Sequence, residues 1–155
     1  MSEGPQASDC PIYHGQDVHA IDAKGRVNIP ARHRRIASKK GSLEFWFTPG
    51  FDGCVFLWDA PGFTEYAARI SSLPSNIQDT RRLRRRIFTR TTRVEPDHQG
   101  RVVIPEALRR QANLDSQVLI LGVHDHLELW NPAIYEAYDS ESGETDGEIA
   151  EKLVF

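Results

Sequence analysis

The sequence predicts an α+β protein of two pseudo-repeats with short helices, each running strand, strand, helix, strand, strand, helix. Three observations carry that expectation. Asp-x-x-Gly-Arg, followed by an apolar-alternating strand and a proline, occurs twice: Asp22-Ala23-Lys24-Gly25-Arg26-Val27-Asn28-Ile29-Pro30 returns 75 positions later as Asp97-His98-Gln99-Gly100-Arg101-Val102-Val103-Ile104-Pro105. Arg34 and Arg35 match Arg109 and Arg110 at the same offset. Trp58-Asp59 matches Trp130-Asn131 at an offset of 72, so the intervening loops differ in length by three residues. An internal repeat of this kind signals one supersecondary unit used twice.

Residues 1–11 show no periodicity and read as a flexible arm ahead of a first repeat over 12–73. Val18 to Ile21 is a short strand. Asp22 to Gly25 is a turn: Gly25 takes positive φ without penalty, and Asp22 accepts from backbone N–H groups two or three residues on. Arg26 to Ile29 alternates as the return strand. Pro30 suits the first helical position, where its missing N–H costs nothing; the helix runs to about Ser38 and ends near Gly41. Leu43 to Thr48 and Cys54 to Trp58 are apolar strands joined by a loop at Pro49 to Gly53. A helix from about Gly62 to Ser71 closes the repeat.

The second repeat, 74–138, opens with a basic helix from about Ser75. Ile77, Leu83 or Arg84, and Ile87 fall near one face, and the others display Arg81, Arg82, Arg85 and Arg86. A strand through Phe88 to Val94 leads to the turn at Asp97 to Gly100 and the return strand Arg101 to Ile104. Pro105-Glu106 starts the matching helix, with Glu106 at the positive end of its dipole. Val118 to Leu121 and Leu127 to Trp130 are the matching strands, Pro132 to Tyr138 is the last helix, and 139–155 is an acidic tail. Trp46, Trp58 and Trp130 read as core or interface residues. A repeat of about 55 ordered residues has a thin core, and two-stranded hairpins are marginal alone. The repeats are therefore expected to share a core, and the chain to oligomerise.

Composition narrows the class. An apolar content of 39% and a mean hydropathy of -0.48 describe a soluble protein, and no apolar run approaches the roughly 18 residues of a membrane helix. The start lacks a basic and apolar leader, which predicts a cytoplasmic protein with no membrane partner. Cys10 and Cys54 fit no metal spacing. The net charge of -3 conceals a lopsided distribution. From Glu136 onward there are seven acids against Lys152 alone, whereas Arg81 to Arg93 holds seven arginines and no acid. Basic blocks attract polyanions, and a detached acidic tail competes with them or solubilises.

An enzyme is disfavoured. No nucleophile–base constellation and no phosphate-binding glycine loop is identifiable. The pair His124 and His126 has the spacing to share a strand face, but lacks a third metal ligand and reads as a polar loop. No metal or cofactor is expected.

Both turn motifs, the basic linking helix, Tyr13-His14-Gly15 and Glu128-Leu129-Trp130 together resemble the MraZ family, bacterial regulators encoded at the head of the division and cell-wall gene cluster. The likeness covers roughly residues 12 to 138. It implies two AbrB-like (MazE-like) swapped-hairpin β-barrel halves in one chain, assembly into a ring, nucleoid association and sequence-specific binding of double-stranded DNA near its own promoter. The family's turn residues correspond here to Asp22, Lys24 and Arg26, and to Asp97 and Arg101; the second turn, with His98-Gln99, lacks the extra lysine.

The residues agree in kind. Arg26 and Arg101 stand just past Gly25 and Gly100, where a guanidinium projects from a hairpin tip, and its planar fork suits both phosphate and guanine O6/N7. One tip covers few base pairs, so useful affinity needs several tips on neighbouring subunits and a site of short direct repeats. Asp22 and Asp97 either hold their arginines or cap the turns. Arg85 and Arg86 are further DNA candidates, with a solvated or subunit-facing role as the alternative. The expected function is a DNA-binding transcriptional regulator, a repressor acting as a ring-shaped homo-oligomer; the competing reading is a protein-interaction ring without sequence-specific DNA binding.

Overall fold

The computed structural model describes residues 12–153; the expected N-terminal arm, Cys10 and the final Val154-Phe155 lie outside them. The fold is α+β, with eight strands and six helices among the described residues. The first repeat comprises β1 (Gln16–Ala20), β2 (Arg26–Asn28), α1 (Ala31–Lys39), β3 (Phe45–Pro49), β4 (Val55–Asp59) and α2 (Ala60–Ser71). The basic helix α3 (Gln78–Phe88) opens the second, followed by β5 (Thr92–Val94), β6 (Arg101–Val103), α4 (Glu106–Gln111), β7 (Gln117–Gly122), β8 (Leu127–Trp130) and α5 (Pro132–Glu141), with α6 (Asp146–Lys152) in the tail.

The strands cross between repeats. The main sheet has the order β1-β7-β8-β4-β3-β5, and β2 and β6 form a separate ribbon. All pairings are antiparallel. β1 pairs with β7 of the second repeat, His19 opposite Val118, while β5 pairs with β3 of the first, Val94 opposite Phe45. In the ribbon Arg26 faces Val103, Val27 faces Val102 and Asn28 faces Arg101. The 75-residue offset turns Val27 into Val102, so a pseudo-twofold axis passes through that pair.

A shared core follows. Along β4 the side chains alternate between two clusters, as strand geometry requires. Val55 and Leu57 join Val27, Ile29, Val102, Ile104, Leu108 and Ile120, which places the ribbon, α1 and α4 on one sheet face. Phe56 and Trp58 join Tyr66, Ile70, Ile87 and Trp130, which places α2 and α3 on the other. Trp58 and Trp130 are buried, and the half-buried Trp46 stacks on Phe63 with ring centroids 4.4 Å apart.

The Trp58-Asp59 and Trp130-Asn131 match marks helix caps. Asp59 accepts from Gly62 N at 2.7 Å, and Asn131 from the N–H groups of Ala133 and Ile134. Asp59 is fully buried; it also accepts the Tyr13 hydroxyl at 2.7 Å and pairs with Lys40 Nζ at 2.6 Å.

Three expectations change. Phe88 ends α3, and the strand starts only at Thr92; the hydroxyls of Thr89 and Thr91 bond back to the carbonyls of Arg85 and Ile87, keeping that segment on the helix end. Pro30 and Pro105 stand at the N-cap rather than inside the helix, with ψ of 139° and 134°. Beyond residue 138, read from sequence only as an acidic tail, α5 continues to Glu141 and α6 opens with a Thr145–Glu148 capping box. Polar composition masked a signature that the Thr-x-x-Glu spacing carries. His124 and His126 lie in the β7–β8 loop and part there. His124 exchanges backbone hydrogen bonds of 2.8 Å with Tyr13, whereas the His126 ring stacks on Trp58. Among the described residues no helix is long and apolar enough to cross a membrane.

Candidate nucleic-acid interface

Each Asp-x-x-Gly-Arg turn is held by one carboxylate. Asp22 Oδ1 accepts from Lys24 N at 2.9 Å and Arg26 N at 2.8 Å, and Oδ2 accepts Arg26 Nε at 2.6 Å. Asp97 repeats this with Gln99 N, Arg101 N and Arg101 Nε, all at 2.9 Å. Capping and arginine-holding are therefore one device rather than alternatives. The backbone hydrogen bond from Arg26 is the main influence lowering the Asp22 pKa. Its counterpart from Arg101 takes Asp97 down to about 2.

The pairing leaves chemistry to spare. With Nε committed to the carboxylate, the two terminal nitrogens of Arg26 and of Arg101 have no partner among the described residues. These side chains are 29% and 27% exposed. A guanidinium locked at Nε and open at its outer edge is prepared for bidentate donation to phosphate or to a guanine edge.

The two turns belong to one rigid body. Ile104 N donates to Gly25 O and Ile29 N to Gly100 O, both at 2.9 Å, so each repeat's return strand pins the other's turn. Asn28 Nδ2 adds a 2.7 Å bond to Gln99 O; Val103, its counterpart, has no such group. Gly25 and Gly100 adopt φ of +78° and +82°.

Arg34 and Arg109 complete the site, and the sequence reading assigned them no role. A Cβ on Gly100 would stand 2.6 Å from Arg34 Nε, and one on Gly25 would stand 3.1 Å from an Arg109 terminal nitrogen. Each helix arginine thus lies against the opposite repeat's turn. Arg34 Nε donates to Ile29 O at 2.9 Å, while the Arg109 side chain has no hydrogen bond or ion pair among the described residues. Because Asp22 and Asp97 offset Arg26 and Arg101, the uncompensated positive charge at the tips comes from Lys24, Arg34 and Arg109. The signal was available in the common 75-residue offset of the arginine pairs and the turns.

Arg85 and Arg86 are not brought to this site. α3 sits by Ile87 and Leu83 in the cluster on the far face of the sheet from the ribbon. Neither the Arg85 nor the Arg86 side chain has a polar partner among the described residues. Arg84, between them and Leu83, is structural: it donates to the carbonyls of Ile70, Ser71 and Leu73 at 2.5–3.4 Å, capping α2.

Comparison with known proteins agrees with the repeat. The family model described as MraZ protein matches twice, over residues 12–86 and 87–153. The chain is 35% identical over 142 residues to the "Transcriptional regulator MraZ" of Acetivibrio thermocellus, covering 92% of this chain and 96% of the relative. Relatives of the same name from Moorella thermoacetica and Carboxydothermus hydrogenoformans are 36% and 37% identical over 143 residues, each alignment covering 92% of this chain and 97% of the relative.

Proposed function

The chain belongs to the MraZ family of transcriptional regulators, which are not enzymes, and on that premise we propose that it binds double-stranded DNA sequence-specifically. In this reading it acts as a repressor at the promoter of the division and cell-wall gene cluster, as a ring-shaped homo-oligomer in the nucleoid. The crossed pairing of β1 with β7 and β5 with β3 supports AbrB-like swapped-hairpin halves.

One observation carries the proposal. Two turns, each presenting an arginine fixed at Nε and open at its outer edge, are fastened back to back in one ribbon. Arg26, with Lys24, enters the major groove and reads base edges; Arg101 does so from the second tip. Arg34 and Arg109 neutralise the flanking phosphates. Phosphate contacts set register, base contacts set sequence, and several subunits supply the affinity one tip lacks.

The test is fluorescence anisotropy on the duplex upstream of the protein's own gene, against a scrambled duplex of equal composition, at about 0.15 M salt where nonspecific attraction is screened. Preference for the native duplex that disappears in Arg26→Ala, with the oligomer intact, is the expected result. Equal weak binding to both duplexes would move the function to a protein-binding ring, and dissociation by Arg26→Ala would make that residue structural.

A further inference from the structure

Two surfaces remain unused after the ribbon is assigned to DNA. The first is α6. It has seven residues and none is buried, yet helices this short do not persist in water by propensity. Ile149 and Leu153, one turn apart, are 41% and 73% exposed. They form an apolar stripe with Asp146 and Glu148 beside it. The segment from Glu136 onward carries seven acids against one lysine.

The second is a groove of about 470 Å³ between α3 and the β3–β4 loop. Pro49, Phe51, Leu83 and Ile87 supply an apolar floor, and Arg86 and Arg90 stand beside it. Phe51 is 49% exposed. The neighbouring α3 surface adds exposed Arg81, Arg82 and Arg85. A groove with an apolar floor and arginines on its wall fits a short amphipathic acidic helix.

α6 follows α5 in chain order as α3 follows α2, each coming after a sheet-packed helix. α3 is docked through Ile87, 2% exposed, whereas α6 is undocked. One chain therefore holds a basic receptor and an acidic ligand. The structure contains both and leaves them apart, since no α5 or α6 residue lines the groove.

We infer that α6 of one subunit docks in the α3 groove of the next, Ile149 and Leu153 on the apolar floor and Asp146 and Glu148 against Arg86 and Arg90. The contact is head-to-tail, two different surfaces meeting, which generates a ring when the rotation closes. It gives Arg86 a use on the face away from DNA. The pairing presupposes the oligomer proposed above.

Light scattering on the full-length protein without DNA tests it, so loss of DNA preference and loss of this contact are read separately. Arg86→Glu/Arg90→Glu and Asp146→Lys/Glu148→Gln, the glutamine keeping the capping box, each set like charges against each other, weakening association at least about 100-fold. Both are expected to run as small species, and an equimolar mixture is expected to regain the wild-type size, because each charge-reversed surface then meets its complement on the other chain. Leu153→Ser, outside the capping box and already exposed, is expected to shrink the assembly without altering the chain's own circular dichroism. Wild-type size in both charge-reversed variants, a mixture that stays dissociated, or a monomeric wild type would each overturn the inference.

Discussion

Arg34 of the first repeat lies on Gly100 of the second, so close that a Cβ there would come within 2.6 Å of its Nε. The reciprocal contact, Arg109 on Gly25, is looser at 3.1 Å. Both glycines also need left-handed backbone, which costs other residues roughly 1–2 kcal/mol. Gly100→Ala is expected to lose about 2 kcal/mol, and Gly25→Ala about 1 kcal/mol, the difference reflecting the tighter approach. Urea denaturation of both variants checks this; equal losses would mean that Arg34 simply swings away.

Asp22 holds Arg26 while cancelling its charge. Asp22→Asn keeps an oxygen to cap the turn and removes the anion. The expected outcome is weaker preference for the native duplex over the scrambled one, with nonspecific affinity raised and more salt-sensitive, since one more net positive charge meets phosphate. Anisotropy salt titrations on both duplexes measure it. Unchanged preference would show that the ion pair does not aim Arg26.

His33 makes stability fall with acid. It is fully buried, and neither ring nitrogen has a hydrogen-bond partner among the described residues. Burial pushes its pKa from 6.5 down to about 4. Between those values the unfolded chain binds a proton that the folded chain does not, so stability present at pH 7 is lost as pH falls through that window, approaching roughly 3 kcal/mol. Asp97, depressed to about 2, acts lower: its contribution is present above about 4 and is lost as pH falls toward 2. Urea denaturation at pH 7 and pH 4.5 should show the first loss in the wild type and little of it in His33→Leu.

Lys40 and Asp59 form a pair whose carboxylate is fully buried. Removing one partner strands the other, a change that costs about 3–5 kcal/mol in buried pairs. Lys40→Ala is expected near the lower figure, because the Tyr13 hydroxyl and Gly62 N still serve the carboxylate. Thermal denaturation checks it, and Lys40→Ala/Asp59→Asn should recover part of the loss.

Element identity was legible because the repeat supplied two readings of each unit. The turn at Asp22 could be checked against Asp97, and the strand end at Trp58 against Trp130. Strand partnership was not legible: nothing local in Val18 to Ala20 says that β7, rather than β2, completes its ladder, since alternation reports faces and not neighbours. In the site, Arg26 and Arg101 stood out through their glycines. Arg34 and Arg109 were visible as repeats, but their task depends on a contact between residues 66 and 84 positions apart. The segment after Tyr138 read only as an acidic tail because its acids outnumber its two apolar anchors.

The crossed ladders also govern how the chain is made. β1 is complete once residue 20 has been polymerised, but β7, its sheet partner, ends at Gly122. At about 5–20 residues per second, the first strand waits roughly 5–20 s on the ribosome with its edge unpaired. The amino-terminal repeat therefore cannot finish folding ahead of the carboxy-terminal one, and the two halves reach their native state in one late cooperative step.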